Sequence, residues 1–521
     1  MIEIQNTKIK QLLSLLVDSF ANDVPLESIF YDEIQAHPEY GIDVMEFVIK
    51  LDEDFVENDD SSTSSSVVMA CFHYIEMCLI QLKLAEESFK KWADSLIQKY
   101  QSTLLKLMTD HPESLYWLPI INLFYEADIE INQDIQNKYL AILDSHQKQE
   151  DRVEHQQILV EQLLSDDSEA SEYDIAELFF AQTNALPREY FPSFLKELIS
   201  FNLTKAVNTT ILFLLHPVME VRNLVQQNIL DIFEELTLPP ESMSRLLMIR
   251  HWLPEDEKGF LEPLLTLQRK KGATFAELRQ GKIVEILATE MDGSGAQALF
   301  LLIKRRKGYQ AGGLLVKRYF GIKDTWLSPL LKKEEAKNYA QQSLQGSFYL
   351  RKVDQQYLDL IIADHIYHAH KLNSVPHIHL LRLQEITTSQ WQASPLDIDL
   401  LINQLKQEMP ELDDEYIQKS LKRSGNWYKK YYFTESWFDE NPDLDRLVTQ
   451  HCSFIDGIKH CDLSSALQDV MANYFEPRRE QWLDHFLWLC LWAKPAAKHN
   501  EYLWRDAFVI VNALYNNEPL L

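Results

Sequence analysis

The stretch that decides the architecture is Lys282–Lys317, KIVEILATEMDGSGAQALFLLIKRRKGYQAGGLLVK. Three runs within it, Lys282–Glu290, Gln297–Lys304 and Tyr309–Lys317, are rich in Ile, Leu, Val, Phe and Tyr and have the length of strands. The links between them, Met291-Asp292-Gly293-Ser294-Gly295 and Arg305-Arg306-Lys307-Gly308, are short and carry glycine, as hairpins require. Together they predict a three-stranded antiparallel meander. Nine of the thirteen glycines fall between residues 272 and 346, so the change of character is confined to this part of the chain. Beyond it, Ser328-Pro329 leads into a helix containing Glu334-Glu335-Ala336. Asp292-Gly293-Ser294-Gly295 has a strand on both sides, so it reads as a turn. A phosphate-binding loop needs a strand before it and a helix after it.

On either side of this module the chain reads as helix. Val67–Leu107 carries apolar residues three and four apart, and Cys71 and Cys78 share one helical face. Asp52–Ser66 is acidic and then serine-rich, the composition of a solvated loop. A second polar stretch, Ser145–Tyr173, is broken only by Ile158-Leu159-Val160 and places a boundary near residue 175. Lys205–Leu215 is an apolar helix stopped at His216-Pro217. The next helix, from Glu220 to about Leu236, aligns Val221, Val225, Ile229, Ile232 and Leu236 in one stripe.

This segment, HPVMEVRNLVQQNILDIFEEL (216–236), resembles the second half of a HEAT repeat. Pro217, Val221 and Arg222 match the family's proline turn and Val-Arg pair, while Val225 stands where a small Ala is usual. A second Leu-Pro break, Leu253-Pro254, follows at about the family's repeat interval, with Phe260, Leu261, Leu264 and Leu265 after it. The resemblance covers only about residues 205–270 and implies helical hairpins stacked as part of an α-α superhelix. The expected class is mainly α with a small α+β insert. The expected regions are an N-terminal helical region 1–175, HEAT-like hairpins 176–271, the basic β-meander module 272–346 and an aromatic-rich helical region 347–521.

The 521 residues are 46% hydrophobic with 13 Gly and 19 Pro, which excludes collagen-like and globally disordered chains. The first residues lack the basic and apolar regions of a secretory leader. No uninterrupted apolar run approaches the roughly 18 residues that span a bilayer. The nearest, Val67–Leu84, is interrupted by His73, Glu76, Gln81 and Lys83 and reads as a core helix. Five cysteines, odd in number and widely spread, predict no disulfide framework. The expectation is a soluble cytoplasmic protein without membrane contact, although delivery by a specialised secretion route would leave the same signature.

Four features are candidates for function. First, fourteen Lys/Arg against five Asp/Glu lie between Arg269 and Lys333, a net of +9 that leaves −38 on the rest of a chain whose total is −29. Lys304, Arg305, Arg306 and Lys307 sit at a hairpin tip within this island. A basic hairpin grips an acidic partner, docks on the chain's own acidic surface, contacts phosphates as nucleic-acid binders do, or is a plain solvated turn that keeps a sheet edge soluble. Second, Asp364, His365, His368, His370, His377 and His379 bring five of sixteen histidines into fifteen residues. His365 and His368 share a helical face and are either candidate ligands for a divalent metal, with Asp364 and His370 beside them, or structural and surface histidines. His377 and His379, at a helix start, splay apart. No HExxH adds a general base. Third, His451-Cys452 with His460-Cys461 has the ligand types of a zinc site without the usual C-x₂₋₄-C spacing, and buried cysteines at helix ends are the alternative. Fourth, Trp427, Tyr431 and Trp437 in Asn426–Phe438 form either an exposed recognition patch or core packing against the helix carrying Trp482, Phe486, Trp488 and Trp492.

No nucleophile elbow or kinase motif set is present. Stacked helical hairpins leave grooves that hold other proteins. The leading expectation is therefore a non-catalytic interaction or scaffold protein with a protein partner and no cofactor. A metal-dependent enzyme at residues 365–379 and a nucleic-acid binder at 304–307 follow it.

Overall fold

The apolar spacing of Val67–Leu107 is realised as two helices, α1 (Ser61–Glu87) and Lys91–Asp110. The computed structural model describes residues 6–22, 28–55, 61–87, 90–114, 116–146, 164, 170–184, 191–201, 203–276, 281–342, 349–387, 389–437, 441–455, 458–497 and 502–519. By its internal contacts the chain divides into two compact units, Met1–Lys205 and Ala206–Leu521.

The described part of the first unit is helical. One face of α1 (Ala70, Cys71, Tyr74, Ile75, Cys78, Leu79, Leu82) is buried against Val44, Met45, Val48, Leu104 and Phe124. The two thiols thus lie on the inner face, as their seven-residue spacing predicts, and burial pushes both up to about 12. A Cβ at Gly41 would collide with the Tyr100 hydroxyl, which donates to the Pro38 carbonyl, so only glycine admits that contact. The loop expected at Asp52–Ser66 is mostly helix: Tyr40–Phe55 runs into it and α1 begins at Ser61, while 56–60 lie outside the described residues. Serines tolerate a helix that continues into an apolar face. Most of Ser145–Tyr173 also lies outside the described residues. The helix expected to be core contributes its inner face to the core, and by length and composition alone Ser66–Glu86 is also long and apolar enough to cross a membrane, with 44% of its apolar window buried inside the fold.

In the second unit, the helix predicted after the proline turn is α2 (Met219–Ile232), one turn shorter than expected. Pro240–Ile249 and α3 (Leu261–Lys270) follow, with Pro263 in the first turn of α3, where its missing N–H costs nothing. Arg222 is fully buried. Its Nε and Nη2 donate to Glu257 at 2.9 and 2.8 Å, and its Nη1 donates to the carbonyls of His216 and Pro217 at 2.8 and 3.0 Å. Nη2 also reaches the Asn373 carbonyl at 2.6 Å. The Val-Arg pair on which the HEAT resemblance rests therefore supplies a buried clamp, and Gln226 donates to the same carboxylate at 3.0 Å.

The three predicted strands are present as β1 (Lys282–Ala288), β2 (Ala296–Arg305) and β3 (Gly308–Lys317). The meander is longer than expected: β4 (Gly321–Leu327) and the two-residue β5 (Arg351–Lys352) complete an antiparallel sheet in the order β4-β3-β2-β1-β5. The sequence of β4, GIKDTWL, hides it, because an edge strand needs few apolar residues. The Asp292–Gly295 link is the expected turn, with Asp292 Oδ1 accepting from the backbone N–H of Ser294 and Ala296.

Helices cover both faces of the sheet centre. On one, Ala336 of α4 (Lys333–Gln342) packs on Leu302 and Ala311. Against the other lie α5 (Gln355–Lys371) and α6 (Ile378–Thr387), where a Cβ at Gly312 would press on Leu383 at 3.2 Å. The C-terminal pair α7 (Arg479–Ala493) and α8 (Leu503–Tyr515) closes the unit. The Trp492 indole donates to the Ala288 carbonyl at 3.2 Å, and Arg351 donates to Ala493 at 3.0 Å. The fold is mainly α with an α+β insert. The regions set apart by composition at 272–346 and 347–521 fold together within this unit.

Candidate functional site

The β2–β3 hairpin ends in a cluster of cations. Lys304, Arg306 and Lys307 are exposed, and antiparallel register sets exposed Lys282 directly opposite Lys304. Like charges directly opposite one another cost stability. Among the described residues none of these four has an ion-pair partner, whereas Arg305 is half-buried and donates to the Ile386 carbonyl at 3.3 Å. The tip is anchored from behind: Tyr309 and Leu331 exchange backbone hydrogen bonds of 2.9 and 2.8 Å. Three of the four predicted basic residues thus project from a firm support, and the fourth fastens it.

Most of the described aromatic stretch is core, although Tyr428 is exposed. Trp427 and Tyr431 are buried, both packed on Phe433, which in turn meets Trp492. Trp437 is half-buried, its indole donating to the Met291 carbonyl at 3.0 Å and its ring against His485. Trp427 and Tyr431 therefore do not offer their rings to a partner. Phe438 lies outside the described residues.

The histidines of α5 share a helix but diverge in their surroundings. His365 is buried and its Nδ1–H donates to Ile361 in the same helix at 2.8 Å, while His370 donates from Nε2 to the Trp252 carbonyl at 2.6 Å. His368 stacks on Tyr319, with ring centres 5.2 Å apart. Asp364 accepts from the Leu396 backbone at 3.1 Å. Among the described residues no three of His, Cys, Asp and Glu come together to hold a metal ion. The metal site predicted at Asp364, His365, His368 and His370 is thus not assembled, because tertiary packing engages each side chain separately. His377 and His379 do not splay apart either. Their rings stack at 5.6 Å, because His377 precedes the first turn of α6.

The zinc reading at His451-Cys452 and His460-Cys461 is also corrected, together with the expectation of no disulfide. Cys452 and Cys461 are bonded to each other, facing one another across the ribbon of β6 (Cys452–Ile455) and β7 (Ile458–Cys461). Hairpin register brings residues nine apart into direct opposition, which residue counting does not register. His451 bonds Asp469 instead, at 2.9 Å. The expected result of alkylating native protein is no rapid labelling, because Cys71, Cys78 and Cys490 are buried. After mild reduction two thiols react, and peptide mapping places them at Cys452 and Cys461. Rapid labelling without reductant would show the ribbon to be unbridged.

The sequence reading missed a polar network that folding assembles from three distant segments. Arg318, between β3 and β4, donates to the Gln481 carbonyl at 2.8 Å and to His485 Nδ1 at 2.6 Å, and its Nε lies 3.2 Å from Asp484. Because Nδ1 accepts, His485 is neutral, and burial holds it well below the usual histidine range. Burial, with Asp484 close by, pushes the Asp364 carboxyl up to about 7. Asp484 is likewise raised by burial. No local motif signals this arrangement, since Arg318 and Asp484 are far apart in sequence.

A carboxyl titrating near neutrality suits acid–base work, but it must reach a substrate. Among the described residues, two cavities of about 360 and 300 Å³ lie elsewhere: one is lined in part by Tyr357, Leu401 and Lys494, the other by Met248, Phe275 and Trp391. Neither is lined by Asp364, Asp484, His365 or His368. The network joins the sheet to α5 and α7.

Two family models match parts of the chain: the Y4lR second domain over residues 187–272 and the Y4lR C-terminal helical domain over residues 399–521. The first spans the stretch that resembles HEAT hairpins, and the second spans the disulfide ribbon, α7 and α8. The sheet insert and α5 lie outside both. The uncharacterized protein y4lR of Sinorhizobium fredii (strain NBRC 101917 / NGR234) is 25% identical over 270 residues, 50% of this chain and 49% of the relative. The similarity thus spans about half the length of the curated relative. No solved structure matches. The chain is similar, in its second and C-terminal helical parts, to Y4lR proteins.

Proposed function

We propose that this chain is a non-catalytic scaffold that holds a protein partner through an acidic segment docked on the β2–β3 tip. The observation that carries this reading is the cluster of Lys304, Arg306 and Lys307 on an anchored hairpin with Lys282 of the neighbouring strand β1, all exposed and without ion pairs among the described residues. An acidic segment gains charge pairing there without first displacing a resident carboxylate, and such contacts chiefly raise association rate and specificity. The rest of the chain, at −38, keeps indiscriminate polyanion binding weak at long range.

The test is quantitative capture by the wild type and by a Lys304→Glu/Arg306→Glu/Lys307→Glu variant, with partners identified by mass. Arg305 is left alone because it fastens the hairpin. Proteins retained by the wild type and lost from the variant, with unchanged circular dichroism, are the expected outcome. An identical set on both columns would remove the tip from the function. Recovery of nucleic acid in place of protein, lost with the same substitutions, would transfer the site to the phosphate reading. The proposed setting is the cytoplasm, which requires the cell's thiol pool to keep Cys452 and Cys461 reduced there although the fold brings them within bonding reach. Trapping thiols in rapidly quenched cells tests it, since a fully oxidised Cys452–Cys461 bridge would point to an oxidising compartment.

A further inference from the structure

We propose that the β3–β4 turn and the adjoining end of α5 form a surface that docks on anionic lipid bilayers without crossing them. Arg318-Tyr319-Phe320 makes the turn, and Tyr319 has φ +64, a backbone region that bulky side chains seldom occupy. Gly321, at φ +87, lets the chain press onto α5, where an added Cβ would meet Ala369 at 2.8 Å. The consequence is a turn that holds two aromatic rings at the surface: Tyr319 is 41% exposed and Phe320 is 50% exposed. Leu372, one residue beyond α5, is 54% exposed.

Cations flank these apolar groups. The ammonium groups of Lys317 and Lys323 lie 5.1 and 5.4 Å from the Phe320 ring centre, and that of Lys371 lies 4.6 Å from the centre of Tyr367. Arg318 is neutralised within the fold by Asp484, so the three lysines carry the outward charge, opposed by the exposed carboxylate of Asp324. Aromatic rings favour the headgroup level of a bilayer, and lysines beside them favour its anionic lipids.

The same features fit other polyanions less well. Base stacking needs a free ring face, but Tyr319 is stacked on His368 and Phe320 is flanked by lysines. An acidic peptide would use the lysines and leave Phe320 and Leu372 exposed. This surface lies at the opposite end of β3 from Lys304–Lys307, so the inference stands apart from the scaffold reading.

The experiment is co-sedimentation of the full chain with phosphatidylcholine vesicles, either pure or containing one-third phosphatidylserine. Binding to the anionic vesicles only, weakened by salt, is expected. Each lysine near such a surface is worth about fivefold in partitioning, so Lys317→Glu/Lys323→Glu lowers it by at least about 25-fold. Phe320→Ser lowers it by about tenfold through lost apolar burial. Hydrogen exchange in β3 and β4 checks that both variants remain folded. The Lys304→Glu/Arg306→Glu/Lys307→Glu variant retains vesicle binding, which separates this surface from the partner site. Absence of binding by the wild type, or equal binding by the 317/323 variant, would overturn the proposal. So would a single-stranded oligonucleotide that competes with the vesicles and is itself lost with Phe320→Ser.

Discussion

Replacing Arg222 with methionine is expected to lower the stability of the Ala206–Leu521 unit by about 3–5 kcal/mol, the range for breaking a buried ion pair from one side. Arg222 is fully buried and Glu257 nearly so. The substitution leaves the carboxylate of Glu257 inside the fold with only Gln226 to bond it. It also leaves the carbonyls of His216, Pro217 and Asn373 without their donor. Urea unfolding, followed by hydrogen exchange in α2, measures the loss. The double variant Arg222→Met/Glu257→Gln recovers a large part of it, because the stranded charge is the main cost. A single variant within about 0.5 kcal/mol of wild type would show that the clamp contributes nothing net.

Asp364→Asn is expected to act in the opposite direction and only on the alkaline side. The carboxyl of Asp364 titrates at about 7 in the fold, pushed up from 3.8 first by burial and then by Asp484. The fold therefore binds this proton more tightly than the unfolded chain does. The resulting stabilisation is complete below pH 3.8 and is lost as the pH rises toward and through 7, by as much as about 4 kcal/mol. An asparagine keeps an acceptor for the Leu396 N–H and never ionises. The variant therefore gains at pH 8 and gains nothing at pH 4.

The neighbouring residue has the opposite linkage. Burial lowers His365 from 6.5 to about 3. Its contribution is present above pH 6.5 and is lost as the pH falls toward 3. Wild-type stability thus declines on both sides, and unfolding midpoints measured from pH 4 to pH 8 separate the limbs. Asp364→Asn removes the alkaline limb and leaves the acid limb intact. An unchanged alkaline limb in that variant would assign the effect to another group.

Much of the fold was readable in the residues. Period-three and period-four spacing in Val67–Leu107 marks the buried face of α1, which carries Cys71 and Cys78. Strand composition and glycine-bearing links locate β1, β2 and β3 to within a residue or two. His216-Pro217 punctuates the chain where α2 is about to begin. All of these are local effects, set by backbone geometry and by which side of one element faces the core.

The candidate sites were less legible. The sequence places Lys304–Lys307 at a hairpin tip, but only the structure shows that Arg305 is the anchor and that Lys282 joins the exposed cations. Trp427 and Tyr431 have the composition of a recognition patch or of a core, and packing on Phe433 and Trp492 decides for the core. The histidines of α5 look like a ligand set because helical spacing is all the sequence can report. Contacts with Trp252, Tyr319 and Ile361 give each a different role. Arg318, Asp364 and Asp484 became a network only when the sheet, α5 and α7 met. The local chemistry of the chain determined its elements and its charge island. Long-range packing decided which polar groups lost their water and which stayed exposed, because burial and partnering depend on residues far away in sequence.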